Sequence, residues 1–283
     1  TGDDALAAVQ RERFDCLITD LNMPGGKGHE LIRQAKELDE AISVIVITGY
    51  GTIESAVQAM RDGAYDTARF NRLQGLAIDG ELLYVADSEN HALRVVDLKS
   101  KTVSTLAGDG VQGRDYTGGG KGPQQRLSTP WDVAVDSEKV YIAMAGTHQI
   151  WTYDKKKGIF NNFSGTGREQ NSNSPDRLLA AWAQPSGLSI GNGKLFIADS
   201  ESSTVRTIDL KSGATATLVG GEDAEPRNLF AFGDVDGIGE KARLQHDLGV
   251  LWLEASSRVA VADTYNCLLY TSPSPRALST SRM

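Results

Sequence analysis

A carboxylate and a hydroxyl stand where two apolar runs end. Asp20 closes the run Cys16-Leu17-Ile18, and Thr48 closes Val44-Ile45-Val46-Ile47. The second run is β-branched throughout, the composition of a strand buried on both faces. Apolar residues at helical spacing flank these runs: Ala5, Leu6 and Val9 before the first, and Leu31, Ile32, Ala35 and Leu38 between the two. A third set, Ile53, Ala56, Val57 and Met60, follows and is stopped by Gly63. Helix, strand, helix, strand, helix is the order of a parallel α/β sheet, and such sheets gather their chemistry at the carboxyl ends of the strands. Asp20 and Thr48 fall at those ends.

Other candidates carry blander explanations. Asp234-Val235-Asp236-Gly237 echoes a calcium loop but lacks the further oxygen ligands and terminal Glu, so a turn is expected. Gly118-Gly119-Gly120-Lys121-Gly122 lacks the Walker spacing and a hydroxyl after the lysine, so a loop is expected. His29, His91, His148 and His246 show no metal-ligand spacing. Cys16 sits among apolar neighbours without a partnered base and reads as an inert core thiol. Asp3 and Asp4 open the first helix, where the helix dipole favours acids.

From residue 67 the period changes to a long repeat. Tyr84-Val85-Ala86-Asp87 corresponds to Tyr141-Ile142-Ala143-Met144, Phe196-Ile197-Ala198-Asp199 and Ala260-Val261-Ala262-Asp263. Each follows a matching strand (75–78, 131–135, 187–190, 249–252), and third strands such as Leu93–Asp97 and Val205–Asp209 come after. Fourth strands follow at 103–108 and 216–220. Four short strands per unit with Gly, Asp and Asn turns describe a β-propeller blade. The spacings of Ala86, Ala143, Ala198 and Ala262 (57, 55 and 64 residues) exceed a bare blade, so insertions at 109–126 and 221–241 are expected on one face.

Both segments resemble known families. Leu17–Gly25, Ile45–Gly51, Ala56–Met60 and Gly63-Ala64-Tyr65-Asp66 resemble a response-regulator receiver domain. The blades resemble the NHL repeat family. The first resemblance implies a flavodoxin-like parallel sheet over 1–66, with Asp20 as phosphoryl acceptor, Thr48 as the switch hydroxyl, and Mg²⁺ held by Asp20 and the Asn22 backbone carbonyl. A histidine kinase or phosphotransfer protein would be the donor. The family's acidic pair before the acceptor and its Lys-Pro after Asp66 have no counterpart here, so the Mg²⁺ site is incomplete and strands one, two and five are missing. The second resemblance implies an all-β propeller fragment over 67–266, three full blades and part of a fourth, serving as a protein-interaction scaffold with a partner not named by the sequence. The whole is thus expected to be multidomain, a receiver fragment joined mid-pattern to blades and impaired by truncation. The alternatives are a chimeric product without activity of its own, or a propeller enzyme with a metal in the central channel.

Residues 267–283 depart from the blade pattern. Cys267–Arg276 is similar to the translation of a transposase-type sequencing adapter, and 267–283 are expected to be disordered. Composition fits a globular chain of 283 residues, 40% hydrophobic and 23% charged. The net charge of −8 argues against nucleic acid or an anionic membrane as partner. Residues 1–66 hold six basic and twelve acidic residues, so most of that charge sits there. Two cysteines and no signal-peptide pattern favour a reducing, cytoplasmic setting.

Overall fold

The computed structural model describes residues 2–11, 14, 16–20, 28–38, 43–47, 63–64, 68–221, 229, 231–266, 268–271 and 281–282. The first segment holds helix α1 (Gly2–Arg11), strand β1 (Cys16–Asp20), helix α2 (Gly28–Leu38) and strand β2 (Ser43–Ile47). The two strands are parallel, the arrangement expected from the β-branched composition of the second, and their register pairs Cys16 with Ser43 and Asp20 with Ile47. Among the described side chains of α2, Leu31 and Ala35, four apart on one helical face, are buried. The third helix expected around Ile53–Met60 lies outside the described residues.

The second segment is built from antiparallel sheets in sequence order. Sheet one holds β4 (Leu73–Asp79), β5 (Leu82–Asp87), β6 (Ala92–Asp97) and β7 (Thr102–Ala107). It also takes in β3 (Gly63–Ala64), which pairs with the outer edge of β7. Sequence patterning places Gly63 at a helix stop; backbone pairing with an open blade edge is where the structure puts it. Sheet two holds β8 (Pro130–Val135), β9 (Lys139–Met144), β10 (Gln149–Asp154) and β11 (Ile159–Ser164). Sheet three holds β12 (Pro185–Gly191), β13 (Lys194–Asp199), β14 (Thr204–Asp209) and β15 (Thr215–Val219). Sheet four holds β16 (Asp247–Leu253), β17 (Arg258–Asp263), β18 (Leu268–Thr271) and β19 (Ser281–Arg282). Leu268–Thr271 therefore pairs as a third strand with β17, where the sequence places a disordered tail. The Leu-Leu-Tyr-Thr run has the apolar, aromatic and β-branched character of a strand, and β17 offers it a free edge.

The same local chemistry shapes each blade. Asp97, Asp154 and Asp209 end the third strands, and each accepts backbone N–H bonds from the residues two and three ahead at 2.7–3.1 Å. Those bonds hold the three carboxyls below the usual range. Between the second and third strands a 3₁₀ turn ends on a left-handed residue: His91 (φ 48°), His148 (φ 52°) and Ser203 (φ 52°). Each of these N–H groups closes its turn on the carbonyl of Ser88, Ala145 or Ser200.

Blades pack face to face through apolar clusters. Tyr84, Ala86 and Leu93 of sheet one meet Val133, Val140 and Ile142 of sheet two. Tyr141, Ala143 and Ile150 then meet Leu188, Leu195 and Ile197 of sheet three. Phe196, Ala198 and Val205 meet Val250, Val259 and Val261 of sheet four. Among the described residues no helix is long and apolar enough to cross a membrane.

Candidate functional site

At the carboxyl end of β1, Asp20 stands opposite Ile47, the residue before Thr48. Asp20 is thus the last residue of β1 and pairs with the last residue of β2. Thr48 and Asn22 themselves lie outside the described residues. Among the described residues no three His, Cys, Asp or Glu side chains gather to hold a metal.

In sheets one and three a buried Asp–Arg pair joins the blade to the segment that enters it. In sheet three, Arg206 is fully buried and donates to Asp199 Oδ2 (2.9 Å), the Ala181 carbonyl (2.6 Å) and the Ser172 carbonyl (2.7 Å). Its guanidinium lies 4.2 Å from the Trp182 ring centroid. Asp199 also accepts from the Ala183 N–H (2.7 Å) and the Ser202 hydroxyl (3.1 Å). Sheet one repeats the device: Arg94 donates to Asp87 Oδ2 (3.1 Å) and stacks 5.0 Å from Phe70. Burial pushes Asp87 up to about 6, against the pull of Asn90, Arg94 and the Asn71 N–H. In sheet two, Met144 and Trp151 occupy the equivalent positions, and both are buried. The Trp151 indole donates to Gln149 Oε1 (3.0 Å). An apolar solution to the same position thus exists within one chain. The signal that could have revealed the pairs is an Asp followed seven residues later by Arg, at 87/94 and again at 199/206.

Two further acids were not singled out by sequence reasoning. Asp132 stands on the inner strand where the other sheets carry Gly75, Gly187 and Gly249. It accepts the Leu188 N–H of the next blade (2.7 Å), and a Cβ at Gly75 would clash with it. Burial pushes it up to about 7, opposed by the Leu188 and Val133 N–H groups. Asp247 is fully buried with neither carboxyl oxygen hydrogen-bonded, where the other sheets carry Leu73, Pro130 and Pro185. Burial raises it well above the ordinary carboxylate range, and Asp199 and Asp263 add to the rise. A carboxyl raised on folding contributes its stability below the unfolded value and loses it as pH rises through the folded value. Asp247→Asn is therefore expected to gain stability over wild type from pH 5 to pH 8, by about 1–3 kcal/mol at the upper end. Urea midpoints of both proteins across that range measure it; a difference independent of pH refutes it.

The three long inter-blade connections share one end of the array, because each leaves an outer strand and enters the next inner strand in the same sense. Hydrogen bonds tie them to the 3₁₀ turns at that end, Gly146 N–H to the Ser128 carbonyl, Glu201 N–H to Ala183 and Tyr265 N–H to Gln245, and the segment before sheet one is tied likewise by Glu89 N–H to the Asn71 carbonyl. His91 Nδ1 accepts the Thr129 N–H (3.1 Å), so this histidine serves turn bonding, and burial lowers its pKa in keeping with a neutral acceptor. The connections expose large apolar side chains: Val111 and Tyr116, Leu178 and Leu179, and Phe232, Val235 and Ile238.

Sheets of four antiparallel strands joined in this manner, preceded by a parallel strand pair, define the class: an array of propeller-like blades. The family model for the response regulator receiver domain matches residues 1–68, and that for the NHL repeat matches 70–96. NHL repeat-containing protein 2 of Bos taurus is 46% identical, covering 79% of this chain and 34% of that protein. Protein SUPPRESSOR OF QUENCHING 1, chloroplastic, of Arabidopsis thaliana is 49% identical over 75% of this chain and 21% of its own length. The response regulator protein FleR of Pseudomonas aeruginosa is 39% identical over 23% of this chain and 14% of its own. The chain thus spans about a third or less of the length of these three relatives. A solved structure of a protein of unknown function from Bacteroides thetaiotaomicron shares the fold at a TM-score of 0.53 and 19% identity, over 67% of this chain and 44% of that one.

Proposed function

We propose that the chain is an interaction scaffold whose blade array binds a protein partner at the end carrying the long connections. The observation that carries this reading is the display of large apolar side chains on all three connections. Apolar side chains grouped on a surface and rimmed by polar residues mark protein contacts. The buried Asp–Arg pairs are consumed in fastening sheets one and three to the segments that enter them, which supports a binding role over a catalytic one. The test compares the immobilised wild-type chain with the variant Leu178→Ser/Leu179→Ser/Ile238→Ser. Wild type captures a defined set of proteins from a cytoplasmic extract, and the variant loses it at an unchanged melting temperature. Equal capture by both, or by neither, overturns the proposal.

A second reading, phosphoryl acceptance at Asp20 from a histidine kinase or phosphotransfer protein within a flavodoxin-like receiver sheet, is favoured by the pairing of Asp20 with Ile47. On this reading acetyl phosphate, with Mg²⁺ in the buffer, labels wild type and leaves Asp20→Asn unlabelled. Labelling of both proteins, or of neither, refutes it.

A further inference from the structure

An asparagine followed by glycine occurs once in the chain, at Asn192-Gly193. The pair forms the two-residue turn between β12 and β13, where Gly191 faces Lys194 across the hairpin. Both residues lie in the left-handed region, Asn192 at φ 47° and Gly193 at φ 71°, as a type I′ turn demands. Both are exposed, and a Cβ at Gly193 would meet nothing within 4 Å. Among the described residues nothing accepts the Gly193 N–H, and the Asn192 side-chain amide makes no hydrogen bond.

An electrophile thus stands beside an unguarded nucleophile. Joining Asn192 Cγ to the Gly193 nitrogen closes a five-membered ring, and glycine puts no side chain in the way. With open space around Gly193, the turn can rotate towards ring closure without meeting another residue. Asn171 and Asn173 are each followed by serine, and there the nucleophile is engaged. The Ser172 N–H donates to the Ala181 carbonyl (3.3 Å), and the Ser174 N–H donates to Thr215 Oγ1 (2.8 Å). Amides held by hydrogen bonds surrender their protons only when those bonds open.

We propose that Asn192 is a site of spontaneous deamidation, passing through a succinimide to aspartate and isoaspartate. Hydroxide takes the Gly193 N–H proton, and the nitrogen attacks Asn192 Cγ. The new N–Cγ bond forms, the Cγ–Nδ2 bond breaks, and the amide group leaves as ammonia with a proton from water. Water then opens the ring: attack at the side-chain carbonyl gives aspartate, and attack at the backbone carbonyl gives isoaspartate. Aspartate keeps the turn, because it tolerates the left-handed region. Isoaspartate lengthens the backbone by one methylene, which displaces the pairing of Gly191 with Lys194. Gly191 lies directly under the Trp252 ring, with no room for a Cβ, and that ring stacks on Phe196 at 5.3 Å and 7°. The isoaspartyl product therefore loosens the contact between sheets three and four. The inference stands independently of the scaffold reading, because β12 runs from the connections to this turn at the opposite end of the array.

Peptide mapping of the full chain after incubation in native buffer, beside the same chain held in urea, tests it. The tryptic fragment Leu178–Lys194 contains Asn192, and Glu169–Arg177 contains Asn171 and Asn173. In the folded chain the first fragment is expected to gain the mass of an amide-to-acid change and to accept methyl groups from an isoaspartyl methyltransferase. Its conversion is expected to speed up by about tenfold from pH 7 to pH 8, because the deprotonated amide is the reactive form. The second fragment is expected to stay unchanged. Asn192→Gly, which suits the same turn, is expected to abolish the methyl label on the first fragment at an unchanged melting temperature. Conversion of Leu178–Lys194 in urea but not in the folded chain overturns the proposal. So does conversion of Asn171 or Asn173 at the same rate in the folded chain, or a label on that fragment that survives Asn192→Gly.

Discussion

Replacing Arg206 by methionine is expected to lower the stability of the blade array by about 3–5 kcal/mol, the cost of leaving one partner of a buried ion pair uncompensated. Asp199 would keep the Ala183 N–H and the Ser202 hydroxyl but lose its cation. The carbonyls of Ala181 and Ser172 would lose their donor as well. The double variant Asp199→Met/Arg206→Trp copies the Met144 and Trp151 of sheet two and is expected to recover most of that loss. Removing both charges leaves none unpaired, and apolar side chains of similar volume can replace a buried pair at little cost. Urea denaturation of the three proteins decides the matter. A single variant within about 1 kcal/mol of wild type would show that the pair is peripheral to stability.

Trp182→Ala is expected to cost about 3–5 kcal/mol, the usual range for deleting a buried aromatic from a close-packed core. Trp182 is fully buried in the cluster joining sheets two and three, among Tyr141, Ile150, Leu195 and Ile208. Its indole donates to the Ser164 hydroxyl (3.0 Å). Gly165, at φ 106°, leaves the room the ring needs, since a Cβ there would come within 2.7 Å of it. The loss should not be independent of Arg206, whose guanidinium rests on the same ring. Combined with Arg206→Met, the substitution is expected to cost less than the two separate losses together, because the stacking is removed only once. A double variant whose loss equals the sum would place the two residues in separate networks.

The blades were legible because a sheet buried on both faces leaves a period in the sequence. The motif around Ala86, Ala143, Ala198 and Ala262 marks every second strand. The parallel pair of the first segment was equally plain from its apolar runs, so Asp20 fell at a strand end as expected. What the sequence did not display is burial that depends on a neighbour. Asp247 looks like any turn acid until sheet three covers it, and Asp132 looks like a surface substitution until Leu188 donates to it. Leu268–Thr271 was hidden by the Ser- and Pro-rich residues that follow it, although its own composition suits a strand. Gly63–Ala64 was hidden because pairing with an outer edge uses backbone groups and needs no side-chain pattern.

Strands β4–β7, β8–β11, β12–β15 and β16–β18 pair in chain order across short turns. Each blade can therefore form from contacts close along the chain, with little loop to close. The contacts between blades join segments farther apart, such as Asp132 with Leu188 and Ser189 with Trp252. Blades would then assemble one after another as the chain leaves the ribosome, each new sheet docking on a finished one. Amide protons should register that order in the folded protein. Those of β9 and β13, held in sheets with a neighbour on both sides, are expected to exchange more slowly than those of β17 in the last sheet.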